Sequence, residues 1–299
     1  MTSTSPAKMR SALTATELKL RRQQRRGAAI RYAVLLVFGL IMLYPLIWLI
    51  GASFKTNSEI FSSPSFWPKE PTLDGYINGW QTSTPYTFAR FFMNSALIII
   101  PKTIGTAISC VLVAYGFARF EFPGKRILFG TVIATLLLPN VVTRIPQYLL
   151  FRDLGWLDSF LPLWVPSAVA GDAFFVFMLI QFLRAIPRDM EEAARVDGAN
   201  TLQTLVFIVV PMLMPAIISV CLFQFMWTMN DFLGPLIYVS SVENYPVSLA
   251  LKLSIDTTEA FDWNQILAMS VLTLAPSLLV FFVAQKYFIE GISTGGVKG

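Results

Sequence analysis

A chain of 299 residues has room for two soluble domains, but 55% of its residues are hydrophobic and only 14% charged. With a mean hydropathy of +0.61 it falls among polytopic membrane proteins. Histidine is absent, which removes histidine-based catalysis and histidine metal ligation, and the net charge of +5 is spread in a way that fits membrane orientation better than nucleic-acid binding.

Residues 1–31 are polar and basic, and Thr14-x-x-Glu17 ahead of Leu18 and Leu20 predicts a short capped helix at the membrane surface. No aromatic residue interleaves this basic run, as a nucleic-acid arm would want. Tyr32–Ala52 is too long for a signal-peptide core and long enough to cross a bilayer, so it reads as an uncleaved first span. A loop rich in Ser, Thr, Pro and aromatics follows over 53–90, then a second span at Phe91–Phe117. The polar turn Arg119–Arg126 leads to a third span, Ile127–Thr143, and Ile145–Phe160 reads as an interfacial helix. Leu161–Leu183, Leu205–Asp231 and Trp263–Gln285 complete six spans; between the last two, residues 249–253 are apolar enough to dip into the interface. Cys110 and Cys221 lie in apolar runs, where a small buried hydrophobe is expected rather than a disulfide.

The chain thus divides into a basic segment (1–31), a first transmembrane helix (32–52), an extracytoplasmic loop (53–90), a five-helix core (91–287) and a tail (288–299). With the N-terminus inside, the inside segments hold 16 Lys and Arg in 75 residues and the outside segments 6 in 86. Both termini are therefore expected on the cytoplasmic side of the membrane.

Between the fourth and fifth spans lies a polar island, 187–204, within Pro187–Pro211. Pro187, Asp189, Glu191 and Glu192 suit the start of a short helix, and Glu191 can pair with Arg195 along its solvent face. Gly198 supplies a left-handed stop, and Asn200 with Gln203 a capping-box start for the next helix. Ala193 and Ala194 leave a low surface that another protein can approach closely.

Glu192-Ala193-Ala194, then Gly198, then nine residues and Ile208-Val209-Val210-Pro211, resembles the E-A-A-x-x-x-G-(nine residues)-I-x-L-P signature of ABC importer permeases, with Val210 in place of Leu. The runs 114–120, 145–155, 230–236 and 286–299 are similar to the maltose-type carbohydrate-uptake branch of that family. The resemblance implies the all-α type I ABC importer permease fold: six transmembrane helices and a cytoplasmic coupling helix-turn-helix. It further implies ATPase docking through Glu192, Ala193, Ala194 and Gly198, and a C-terminal tail with Gly295 and Gly296 against partner subunits. The implied partners are a second permease subunit, two ATPase subunits and an extracytoplasmic sugar-binding protein, besides membrane lipid. No cofactor is expected on this chain, since it lacks a G-x-x-x-x-G-K-[ST] loop; ATP and Mg belong on the partner ATPases.

Gly291-Ile292-Ser293-Thr294-Gly295 matches G-x-S-x-G, yet no strand precedes it and no histidine exists to serve it, so no catalytic residue is assigned. Asp172 stands near the middle of the fourth span. A mid-bilayer acid must face protein or a water-filled cavity, so it is either a structural partner of Lys102 or an acceptor for sugar hydroxyls along the pathway. Asn94, Asn230 and Asp231, near span ends, are further pathway candidates. The alternative function is an ion-coupled secondary transporter, which would want paired titratable groups at mid-membrane and inverted repeats.

Overall fold

The computed structural model describes residues 6–82, 85–256 and 262–295. Among these no strand occurs, and the chain forms two compact units, Met1–Thr72 and Leu73–Gly299.

In the first unit α1 (Pro6–Ala52) is one helix of 47 residues. A surface helix separate from the first span was expected; the two are continuous because residues 7–31 are dominated by strong helix formers and no proline intervenes before Pro45. Its apolar part, Gln24–Ala52, leaves residues such as Leu35, Phe38 and Met42 exposed, as a lipid- or protein-facing span requires. Much of 53–72 is built rather than loose. Lys55 is fully buried and donates from Nζ to the carbonyls of Ser63 (3.1 Å) and Ser65 (2.6 Å), so its charge is not left bare. Within this clasp sits α2 (Asn57–Ser62), whose Glu59 carboxylate accepts the Lys69 backbone N–H at 2.8 Å.

The second unit runs through α3 (Asp74–Gln81), α4 (Phe88–Arg119), α5 (Lys125–Leu137), α6 (Asn140–Asp153), α7 (Leu161–Ala168) and α8 (Ala173–Ala185). It continues with α9 (Asp189–Val196), α10 (Thr201–Gln203), a π-turn (Thr204–Val209), α11 (Val210–Met229), α12 (Leu233–Tyr238), α13 (Val247–Asp256) and α14 (Trp263–Gly295). α4 is its spine, packing on α7, α8, α11 and α13. The main core joins Cys110, Val111 and Ala114 of α4 to Phe175, Leu179 and Leu183 of α8 and Leu213 and Val220 of α11. At Gly105 the approach to α7 is so close that a Cβ would collide with Ala168.

Five helical stretches are long and apolar enough to cross a membrane, and a sixth candidate is the pair Lys125–Leu137 and Val141–Asp153, bent by 107°. The predicted third span was expected to reach Thr143 and to be followed by a separate interfacial helix. The helix instead stops at Leu137, before Pro139, and the chain turns sharply into α6. The fourth span is also broken: Val169–Asp172 leave the helix, with Ala170 at φ +62°, so Asp172 is the residue before α8 and not mid-helix. Residues 249–253 belong to α13, whose Val247 and Ala250 are buried against Phe88, Phe91, Ala268 and Met269.

At the end of α4 opposite Arg119, a hydrogen-bonded strap holds residues 238–247. The Asn94 amide donates to the carbonyls of Glu243 (2.7 Å) and Tyr245 (2.9 Å), and the Ser95 hydroxyl accepts the Val247 N–H at 3.0 Å. Asp158, at φ +57°, completes the strap from the turn before α7. Its carboxylate accepts the Ser241 hydroxyl and the N–H groups of Ser241 (2.8 Å) and Ser240 (3.0 Å).

The Ser241 hydroxyl, then its backbone N–H, holds the Asp158 carboxyl below the ordinary aspartate value of 3.8. A depressed folded value contributes stability above the unfolded pKa and loses it as pH falls through the folded one. Hydrogen exchange at Ser240 and Ser241, corrected for intrinsic rates, should therefore be flat between about pH 7 and about pH 5 and rise only below the ordinary aspartate range. Asp158→Ala should raise it at neutral pH, and unchanged protection in that variant would remove Asp158 from the strap.

Candidate functional site

Two features dominate the second unit: a short polar helix held against the end of α4, and a cavity further along the same helix. The polar helix is α9, which opens with Asp189, Glu191 and Glu192 in its first turn, where the helix dipole favours negative charge. Its end is a Schellman motif: the Ala199 N–H reaches the Ala194 carbonyl at 2.9 Å and the Gly198 N–H that of Arg195 at 3.0 Å. Gly198 has φ +87°, a left-handed conformation that penalises any side chain. Asn200 and Gln203 then close a reciprocal capping box, at 2.9 and 2.8 Å. The π-turn that follows ends two residues before Pro211, which has no N–H to bond the Phe207 carbonyl.

Glu191 does not pair with Arg195 on the solvent face, as its spacing had suggested. It is buried, 3% exposed, and its Oε1 accepts from Arg119 Nε at 2.6 Å, with both side chains at most 5% accessible. Tyr115 donates its hydroxyl to Glu191 Oε2 at 3.3 Å, and Arg119 Nη2 donates to the Ile186 carbonyl at 2.9 Å. Arg188 adds a hydrogen bond to the Ala118 carbonyl at 3.2 Å. The first turn of α9 is thus bolted to the last two turns of α4. With Glu191 turned inward, Glu192 and Ala193 are exposed and Ala194 is half-buried, beside Val196 at 88% exposure.

The cavity measures about 480 Å³ and opens where the fourth span breaks. Its wall includes Lys102 of α4, Arg144 and Gln147 of α6, Asp172, Gln224 and Trp227 of α11, and Asn230, Asp231 and Tyr238. Asp172 Oδ2, Gln224 Oε1 and the Tyr238 hydroxyl are buried with no hydrogen-bond partner among the described residues. Such atoms are costly to leave unpaired, and three in one wall suit a ligand rich in hydroxyls. Trp227, half exposed, lies against Phe174, Phe175 and Phe223 and presents a supported aromatic surface to the same space. Irregular backbone at membrane depth is tolerated where it lines a cavity, which accounts for the break at Val169–Asp172.

Of the residues singled out from sequence, the cavity gathers Asp172, Asn230 and Asp231. Asp231 is partly committed, accepting the Gly234 N–H at 2.9 Å. Asn94 lies outside the cavity wall, in the strap. Lys102 and Asp172 share the wall, but no ion pair within 4.0 Å joins them among the described residues. Gly295 ends α14, and Gly296 lies outside the described residues. Sequence reasoning passed over Gln224, Trp227 and Tyr238; Gln224 carried a signal, as the only side-chain amide in the long apolar run 205–229.

Comparison with known proteins agrees with this architecture. The family described as binding-protein-dependent transport system inner membrane component matches residues 110–294. A probable ABC transporter permease of Pyrococcus horikoshii is 33% identical, covering 85% of this chain and 92% of that protein. The diacetylchitobiose uptake system permease of Streptomyces coelicolor is 29% identical over 91% of this chain and 89% of its own length. Among solved structures, a chain of a bacterial ABC transporter that imports the acidic polysaccharide alginate superposes with a TM-score of 0.78, at 23% identity and over 89% of this chain and 98% of that one.

Removing one partner of a buried ion pair strands the other charge, at a cost of about 3–5 kcal/mol. Glu191→Ala should therefore lower the amount of folded subunit in the membrane sharply. The joint change Arg119→Met with Glu191→Leu removes both charges and should restore most of it, read by quantitative blotting and melting of the purified protein. Equal loss in the single and double variants would mean that the pair is not what holds α9.

Proposed function

The chain belongs to the family of binding-protein-dependent transport system inner membrane components, and from that premise we propose that it forms one half of a sugar translocation pathway, driven by ATPase subunits that dock on α9. The observation that carries the sugar reading is the cavity at the broken fourth span. Its buried, unpartnered oxygens on Asp172, Gln224 and Tyr238 beside Trp227 offer fixed hydrogen-bond partners next to an aromatic face, the combination that a polyhydroxylated ring needs. The diacetylchitobiose permease among the relatives supports the same class. Family membership does not support the ion-coupled alternative.

In this reading the chain binds no nucleotide; ATP and Mg act on two partner ATPases, a second permease subunit supplies the other half of the pathway, and an extracytoplasmic binding protein delivers the sugar. Both termini and α9 face the cytoplasm, and the strap of 238–247 faces the exterior. Motor movement enters at the exposed side of α9, through Glu192, Ala193 and Ala194, with Gly198 setting the angle to the fifth span. It passes to α4 through Arg119–Glu191, and along α4 to Lys102 in the cavity wall. At 1.5 Å per residue, the stretch from Arg119 to Lys102 is about 25 Å of unbroken helix.

The substrate class is tested by uptake in cells carrying the full transporter, using labelled maltose, trehalose and diacetylchitobiose. Deleting this subunit should abolish uptake of at least one; intact uptake of all three would count against this panel as its substrates. For the sugar that responds, Asp172→Asn and Trp227→Ala should each reduce uptake about tenfold, the equivalent of one good hydrogen bond or stacking face, at unchanged abundance.

The transmission route makes a separate prediction. The Arg119→Met, Glu191→Leu variant, once shown to assemble, should hydrolyse more ATP for each sugar moved, because α9 then slides against α4. Ala194→Trp should instead block docking and lose ATPase subunits on purification. An unchanged ratio in the first variant sinks the α4 route, and a normal ATPase complement in the second sinks docking on α9.

A further inference from the structure

Beside α9 lies a second cleft, of about 420 Å³, formed by the ends of α4 and α8 and the start of α5. Four cationic side chains line it: Arg119, Lys125, Arg184 and Arg188. Two of them are neutralised where they stand. Arg119 is bound by Glu191, and Lys125 donates from Nζ to Glu121 Oε1 at 2.7 Å. The other two have no carboxylate within ion-pair distance among the described residues. Arg184 rests its guanidinium over the Phe129 ring, 5.7 Å from the centroid, and Arg188 donates to the Ala118 carbonyl. Both are exposed. Glu121 also lines the cleft and feels the Arg188 charge, but its ion pair is with Lys125. The cleft therefore carries two guanidinium groups without an ion-pair partner among the described residues, and their planar donor forks suit a phosphate.

Its depth points to the source of that phosphate. Arg184 is in the last turn of the apolar stretch Leu161–Ala185, and Lys125 opens α5, so the cleft sits where spans leave the hydrocarbon. Apolar surface adjoins it in sequence: Ile127 and Leu128 are 77% and 52% exposed, and Phe182 is 38% exposed. Basic pockets between helices at the cytoplasmic face bind anionic headgroups, with the chains lying along neighbouring apolar surface.

We propose that this cleft binds the headgroup of an anionic phospholipid between Arg184 and Arg188, at the entry to α9. The proposal rests on the membrane orientation given above but not on the sugar or the docking assignment. Arg188 immediately precedes α9, so a bound headgroup fixes the approach to that helix at the bilayer surface.

The test uses the assembled transporter, purified in mild detergent with a mixture of phosphatidylglycerol and phosphatidylcholine, and native mass spectrometry to count retained lipids. The wild type should retain a phosphatidylglycerol that phosphatidylcholine does not replace. Arg184→Gln and Arg188→Gln should each weaken that retention about fivefold, and together about thirtyfold. If the paired variant does not assemble, Arg184→Lys with Arg188→Lys serves instead, and should retain phosphatidylglycerol better than either glutamine variant but less well than wild type. Phosphatidylglycerol retention unchanged by these substitutions overturns the proposal; if ATPase subunits are lost at the same time, the cleft belongs to the motor interface. Displacement of the lipid by millimolar inorganic phosphate, with no preference between the two lipids, also overturns it and assigns a free-anion site. Sugar uptake measured in parallel reads the transport function separately, so its loss or survival does not decide the lipid result.

Discussion

A buried arginine–glutamate pair is expensive to build, and this one determines what can surround it. Taking Arg119 and Glu191 out of water costs several kcal/mol for each ion and is offset only when the remaining donors and acceptors are also met. Tyr115 on one side and the Ile186 carbonyl on the other provide that completion. The consequence is geometric. The first turn of α9 can occupy only one position against α4, and its opposite face is presented outward by default. A polar helix that had only to be soluble would not need an interior carboxylate.

The same helix sets the terms at mid-membrane. α4 is continuous from Phe88 to Arg119, whereas the fourth span beside it is broken into α7 and α8. Breaking a membrane helix exposes backbone groups that lipid cannot satisfy, so the break must be housed by protein or by a polar space. Here the Ala170 N–H is met by the Ser109 hydroxyl of α4 at 3.0 Å, and the Gly171 N–H by the Pro166 carbonyl at 3.0 Å. Three of the buried polar atoms left unmet, on Asp172, Gln224 and Tyr238, face the cavity, which is where a ligand can repay them. At the far end of α4, Asn94 and Ser95 hold the 238–247 segment, so α4 joins the α9 turn, the cavity and the strap.

Much of this was legible in the residues themselves. The apolar runs set the membrane class and the approximate spans. Pro187, Gly198, Asn200 and Gln203 marked both ends of the α9 turn, because capping and left-handed stops depend on neighbours only a few residues away. The spacing from Glu192 to Pro211 carried the family resemblance for the same reason, since a short linear motif survives in the chain as written. Asp172 was legible as a problem, a charge in apolar sequence, though not as the residue at a helix break.

Other features could not be read from local order. Glu191 and Glu192 are adjacent carboxylates with equal local claims to solvent, and only the arrival of Arg119, 72 positions away in sequence, turns one inward and leaves the other outside. The Asn94 side-chain NH2 finds its acceptors, the Glu243 and Tyr245 carbonyls, about 150 positions away. Gln224, Trp227 and Tyr238 become one wall with Asp172 only when α11 packs on α4 and α8 and α12 meets α7. Local hydrogen bonding and hydropathy, which act over a turn or two of helix, determined the membrane class, the approximate spans and the capped ends of the α9 turn in the sequence alone. The partner of each buried polar group was decided by tertiary packing, because desolvation is felt only once the helices have met.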